Sequence, residues 1–266
     1  MVDRRLGGLP VAGTAERPQY GGDRVLPRIT RLGLLQQGEG AGQVAGGGRA
    51  EDGAPTGGSL DALRRHRIPA VLVDRVVPSA AGCSVSVDDV AGGALTVRHL
   101  LQQGHRDVVH VSGPTHLAQC RDRHRGARLA HREAGSAGRL RHLEAERLDA
   151  AAGRDAGARL LGMSPRPTAV FCADDLLALG LLQTLYDAGL RVPEDIALVG
   201  YDDIEFAAAA AVPLTSVRQP AFLLGRTAAD LLIEETGDDA QAHRHQRVVL
   251  QPELVVRASS LPLSGR

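Results

Sequence analysis

The chain has 266 residues, with 31 Lys+Arg against 31 Asp+Glu, 43% hydrophobic and only 2% aromatic residues. That length supplies one large domain or two medium ones, and a formal net charge of zero excludes a nucleic-acid binder that works through bulk positive potential. The best candidate for a membrane span, 169–190, is broken by Asp174 and Asp175, and Met1-Val2-Asp3-Arg4-Arg5 leads into no apolar run, so neither a span nor a secretory signal is read. Cys83, Cys120 and Cys172 are odd in number and widely spaced; they form no disulfide framework and no CxxC knuckle, which suits a reducing cytoplasm.

Residues 1–58 hold 15 of the 32 glycines and show neither a period of 2 nor one of 3.6. Such a segment cannot offset its ordering entropy by burial and is expected to be mostly disordered. From Ser59 the pattern changes. Ala70–Val73 and Ser84–Val87 read as strands, and Asp88 or Asp89 caps a helix stopped by Gly104. A strand over 107–111, an Arg/Ala-rich helix to Gly135 and a weak strand near Leu143 follow. Next come a helix from about Asp149 to Leu161, a strand over 168–172, a helix from Asp175 to Ala188 and a strand over 196–200. Pro220 opens a further helix, and 247–250 and 253–256 close the chain as strands. Strand and helix alternating in this way predict an α/β fold of parallel βαβ units with helices on both sheet faces.

In open parallel sheets ligands bind beyond the carboxyl ends of the strands. The predicted strand ends carry Asp74-Arg75, Ser112-Gly113-Pro114, Asp174-Asp175 and Asp202-Asp203. Carboxylates there accept ligand hydroxyls, and a guanidinium offers a planar donor fork. One Asp of each pair can instead cap the helix that follows. Asp175 is read as such a cap, Asp202 as facing a ligand, and Asp74 stands open between a local Asx turn and ligand contact.

Val192-Pro193-Glu194-Asp195-Ile196-Ala197-Leu198-Val199-Gly200-Tyr201-Asp202-Asp203 resembles the signature of the lactose-repressor (LacI/GalR) family of bacterial transcription regulators. Blocks at 68–75, 99–106, 170–175, 214–220 and 252–257 keep the family's order, so the resemblance covers about Ser59 to Ser260. It implies a periplasmic-binding-protein-like effector domain: two parallel-sheet subdomains, joined by three crossings, that clamp a small sugar-like molecule or polyol. The first subdomain is expected to be incomplete. The implied partition is 59–114 plus 218–245 for the first lobe, and 115–217 plus 246–266 for the second. Carried over by position, the effector-binding residues are Asp74, Arg75, Arg123, Leu148, Asp174, Asp202 and Gln219. Leu148 falls where some relatives place an aromatic ring, and Asp174 where many have Asn, which exchanges a donor-and-acceptor amide for an acceptor. The resemblance also implies a cytoplasmic homodimer.

Family members begin with a helix-turn-helix head and further βαβ units, which need roughly 60 residues before any head is counted. Residues 1–58 carry 7 Arg against 6 acidic groups and no recognition-helix pattern, so the DNA-reading head is expected to be missing. Out-of-frame or wrongly started translation fused to a genuine effector domain would explain this; a disordered native arm is the competing reading. A periplasmic-type solute-binding protein and a non-functional regulator fragment are the alternatives for the whole. His243-Arg244-His245 puts two imidazoles on one face of a strand, but in polar sequence with no third ligand nearby, and reads as a solvated loop and not a metal site. His105 and His110 read as structural. HExxH, GxSxG and a phosphate-loop GxxxxGK are absent, so no enzyme, metal or cofactor is expected.

Overall fold

A computed structural model describes residues 63, 65–66, 68–74, 82–135, 138–237 and 243–261. The expectations for 1–58 and for Arg75 lie outside the described residues. In chain order the elements are β1 (Leu72–Val73), β2 (Ser84–Val87), α1 (Asp89–Gln102), β3 (Asp107–Ser112), α2 (Ala118–Glu133) and β4 (Arg139–Glu144). Then come α3 (Ala150–Leu161), β5 (Ala169–Cys172), α4 (Asp175–Asp187), β6 (Ala197–Asp202), α5 (Glu205–Ala209) and β7 (Thr215–Arg218). The chain closes with α6 (Ala221–Thr236), β8 (Arg247–Leu250), β9 (Glu253–Val255) and a 3-10 turn over Ala258–Ser260.

The strands form two sheets. The larger runs β4-β3-β5-β6-β7-β9, parallel except that β9 lies antiparallel to β7; the smaller runs β1-β2-β8, all parallel. Period-2 alternation splits the larger sheet's side chains between two cores. Val109, Val111, Val170, Cys172 and Leu198 meet α3 and α4 through Ala156, Leu160, Leu177, Leu181 and Leu185. On the other face Val108, Phe171, Val199, Tyr201 and Val217 meet α1 and α2 through Val97, Leu100, Ala127 and Ala130. The smaller sheet has its own core, in which Cys83 and Val85 pack on Ala228 and Leu231 of α6.

Each helix pair on the larger sheet crosses at glycines. A Cβ at Gly93 of α1 would overlap the Arg123 carbonyl of α2, and one at Gly180 of α4 would overlap the Ala150 carbonyl of α3. Backbone-to-backbone approach of that kind admits no side chain, so these glycines set the interhelical distance.

Sheet membership corrects the expected partition of the chain. β3 pairs with β4 and β5, and so belongs with the second lobe and not with 59–114. β8 pairs with β2, and so belongs with the first lobe although it lies beyond 245. The reason is packing: α1, immediately after β2, lies against α2 and has already left the smaller sheet. The chain therefore crosses between sheets at Asp88, at Gln219-Pro220 and at Gln251-Pro252.

Candidate functional site

Four of the predicted polar residues sit at or near the carboxyl ends of strands. Asp74 follows β1, Asp174 follows β5, Asp202 ends β6 and Gln219 follows β7. Three of the strand-end aspartates adopt left-handed backbone: Asp74 (φ 57°), Asp202 (φ 100°) and Asp203 (φ 53°). Asp tolerates that region better than most residues, but it remains sparsely populated, and such strain gathers at functional sites.

Arg123, on α2, is the centre of the group. Its side chain is 6% exposed, and its Nε donates to Asp89 Oδ1 at 2.8 Å. Nη1 donates to the Ala173 carbonyl at 2.6 Å, and Nη2 lies 3.6 Å from Asp202 Oδ1. The guanidinium carbon stands 3.7 Å above the Tyr201 ring, and the Tyr201 hydroxyl donates to the same Asp89 oxygen at 3.1 Å. Burial alone would weaken the charge, but Asp89 and Asp202 hold the guanidinium protonated above its ordinary range.

Asp202 Oδ1 also accepts from Gln219 Nε2 at 2.6 Å. Its side chain is 31% exposed, and Oδ2 has no hydrogen-bond donor among the described residues. Burial raises its pKa, against the pull of Arg123. The half-buried Asp74 carboxyl likewise has no side-chain partner among the described residues. Burial, with Asp89 and Asp202 adding repulsion, pushes it up to about 6. Asp74, Asp89, Arg123 and Asp202 thus share one electrostatic neighbourhood that spans both sheets.

Asp174 is brought to this neighbourhood but is largely committed to the fold. Its Oδ1 accepts from the Leu177 N–H at 2.7 Å, which makes it the cap of α4, and burial pushes it up to about 6. The expectation that Asp175 caps α4 is therefore corrected. Asp175 is fully buried and points back under the sheet, where it accepts from Ser216 Oγ at 2.7 Å and from the Ile204 N–H at 2.9 Å. It belongs to the first helical turn, so the residue before it has the extended backbone that a cap needs. Leu148 packs beside Gly113 at the end of β3, one strand from Asp174, and lies against the α3–α4 core.

Sequence reasoning missed Asp89 and Tyr201 as members of the site. The doubled Asp88-Asp89 carried the signal. Asp88 caps α1 through the Ala91 N–H, as Asp174 caps α4, and each following aspartate turns inward. Asp203, the partner of Asp202, is a strut: bonds from Arg257 (2.6 Å) and Arg218 (2.7 Å) hold its carboxyl below the usual range in spite of its burial. Chain folding brings Cys83 and Glu235 close to His243 and His245. A separate cleft lined by His124, Arg128, His131, Arg132, Leu140 and His142 contains none of the strand-end carboxylates.

Among the described residues no helix is long and apolar enough to cross a membrane. Residues 97–260 match the family model described as periplasmic binding protein-like domain. The HTH-type transcriptional repressor PurR of Photobacterium profundum is 33% identical over 201 residues, which is 75% of this chain and 60% of that protein. This chain thus spans about three-fifths of the length of that curated relative. A LacI family transcriptional regulator from Enterococcus faecalis V583, solved with bound ribose, superposes with a TM-score of 0.71 at 29% identity, covering 79% of this chain and 75% of that one. The lac repressor dimer bound to operator and the anti-inducer ONPF superposes with a TM-score of 0.66 at 28% identity, over 77% of this chain and 61% of that one. The family match, the order of the parallel strands and the polar strand ends agree: the chain belongs to the periplasmic binding protein-like family, as an effector-binding domain of the LacI/GalR type.

Proposed function

We propose that this domain senses a small polyhydroxylated molecule, a sugar or related polyol, on behalf of a cytoplasmic transcription regulator, and performs no catalysis. The observation that carries the reading is the pair of under-used carboxylates. Asp74 and Asp202 end strands in different sheets, adopt left-handed backbone, and flank the Arg123 charge with acceptor oxygens left over. Ligand hydroxyls are the donors such oxygens lack, and Arg123 Nη2 and the Gln219 amide add donors for ring or hydroxyl oxygens. Arg75 is included by its position in the sequence, and Asp174 and Leu148 form the flank of the site. Ribose in the E. faecalis regulator supports this chemical class.

Binding across two lobes would shift an equilibrium between their open and closed arrangements, and that shift would be coupled reciprocally to DNA affinity in a regulator carrying a DNA-reading head. Assembly as a homodimer is part of the proposal, in keeping with the lac repressor dimer. The test is a thermal-shift screen of the chain with D-ribose, other monosaccharides and polyols. A ligand at a hundred times its dissociation constant adds about 2.7 kcal/mol of stability. The rise in melting temperature is expected for at least one such ligand and is expected to vanish in Asp202→Ala. A screen with no response, or a response retained in Asp202→Ala, overturns the reading. Light scattering tests the dimer, and a gel shift of this chain on operator DNA is expected to show no specific complex.

A further inference from the structure

The first residue buried before β2, the last turn of α6 and the segment entering β8 converge at the amino-terminal edge of the smaller sheet, opposite the strand end that carries Asp74. There Cys83, Glu235, His243 and His245 each direct one donor atom to a common point, all four atoms lying within 4.8 Å of one another. Cys83 Sγ is 3.1 Å from His243 Nε2 and 3.9 Å from His245 Nδ1, and His245 Nδ1 is 3.3 Å from Glu235 Oε1. Zinc bond lengths of about 2.1 Å to N or O and 2.3 Å to S place tetrahedral donors about 3.4–3.6 Å apart. The observed separations bracket that value.

We propose that Cys83, Glu235, His243 and His245 form a structural zinc site. Two further observations point to a bound cation. Glu235 Oε1 is buried without a hydrogen bond, on a side chain only 10% exposed. A carboxylate in that position needs a compensating charge, and its charge partner among the described residues is the His245 imidazole at 3.3 Å, itself a member of the cluster. The surroundings are also those of a metal site. His243 directs Nε2 to the cluster while its Nδ1 lies 3.4 Å from Glu234 Oε2, the carboxylate–histidine relay that fixes a ligating imidazole. The Gln246 N–H points to Cys83 Sγ at 3.3 Å, and the Gln246 side-chain amide reaches Glu234 at 3.4 Å.

Four protein ligands close a tetrahedral shell, so the role is structural and not catalytic. The ion would tie the end of α6 and the entry to β8 to the start of β2, which is where the smaller sheet meets its one described helix. Thiolate and imidazole together favour zinc over magnesium or calcium. Because the site lies at the opposite end of the strands from Asp74, it is independent of the effector reading.

The experiment uses the full chain, stripped with a chelator and titrated with Co2+ and then Zn2+. One Co2+ per chain is expected, with the visible bands of tetrahedral cobalt and a near-ultraviolet thiolate-to-cobalt band, displaced by one Zn2+. Cys83→Ser is expected to lose the thiolate band, and His245→Ala, at a half-exposed position, to weaken binding at least about a hundredfold while the protein stays folded by circular dichroism. Glu234→Gln, outside the coordination shell, is expected to keep the band with affinity reduced about tenfold. Absence of tetrahedral cobalt bands in the folded chain overturns the site, as does unchanged affinity in His245→Ala. Cys120 and Cys172, both buried elsewhere, serve as internal controls, since a thiolate band that survives in folded Cys83→Ser would assign the metal to another cysteine and also overturn it.

Discussion

Asp89 Oδ1 receives both the Arg123 Nε–H at 2.8 Å and the Tyr201 hydroxyl at 3.1 Å, so one carboxylate oxygen aims a guanidinium and fixes the ring beneath it. Arg123 and Asp89 side chains are 6% and 12% exposed. Removing one member of such a buried pair strands the other charge, at a cost of about 3–5 kcal/mol. Asp89→Ala is therefore expected to lower the unfolding free energy by an amount of that order, seen as a lower denaturation midpoint, and to abolish effector binding. Asp202→Ala, at a more open position, should cost much less stability for the same loss of binding. Urea denaturation read alongside ligand titration separates the two.

The neighbouring carboxylates of α4 differ in the same measurable way. Asp174→Ala removes a helix cap and is expected to cost about 1 kcal/mol, most of it recovered in Asp174→Ser, which can still cap. Asp175→Ala leaves the Ile204 N–H and the Ser216 hydroxyl without their acceptor inside the protein. Each buried group so orphaned costs about 1–3 kcal/mol, so Asp175→Ala should be clearly the worse of the two in thermal melts.

Gly93→Ala is expected to destabilise by about 1–3 kcal/mol although it adds one methyl group, because that methyl meets the Arg123 carbonyl and must part α1 from α2. Since Arg123 is displaced with its backbone, weaker effector binding should accompany the lower melting temperature.

A pH dependence follows from three stacked imidazoles. His110 Nδ1 and His124 Nδ1 are 2.9 Å apart, so one must donate and the other accept, and His124 and His142 rings stand 4.1 Å apart. Burial, then repulsion from His142, lowers His124 to about 4, and burial holds His110 well below the ordinary histidine value. A group whose folded pKa is depressed takes up its proton more readily when unfolded. The neutral ladder therefore contributes fully above about pH 6.5, and its contribution falls as the pH drops towards 4. The buried aspartates that titrate at about 6 to 7 act in the opposite sense, so the test is a difference. The native chain should lose stability relative to His124→Gln as the pH is lowered from 6.5 to 4, measured by denaturant midpoints at each pH.

Strand and helix order was legible because alternation and amphipathic spacing are local properties: Val108 to Val111 announces a two-faced strand without reference to anything else. Capping was half legible. Three doubled aspartates follow strands, but which member caps depends on where the first helical turn begins, a difference of one residue that Asp174 and Asp175 resolve against the sequence reading. Long-range meetings were not legible at all. Nothing near His243 in the chain announces Cys83, and nothing near Arg123 announces Asp89; both encounters depend on sheet order. The lobe boundary failed for the same reason, since β8 finds β2 across most of the domain.

The three crossings give the polar cluster a further significance. Asp89 follows the first crossing and Gln219 forms part of the second, while their partners Arg123 and Asp202 are fixed to the larger lobe. Two hydrogen-bond pairs of the candidate site therefore lie next to crossings between the sheets. In the proposed reading, a ligand hydroxyl that pairs with Asp202 Oδ2 would leave the Gln219 amide on Oδ1 in place. Ligand recognition would then take place beside the crossings themselves, with no relay between a pocket and a distant pivot.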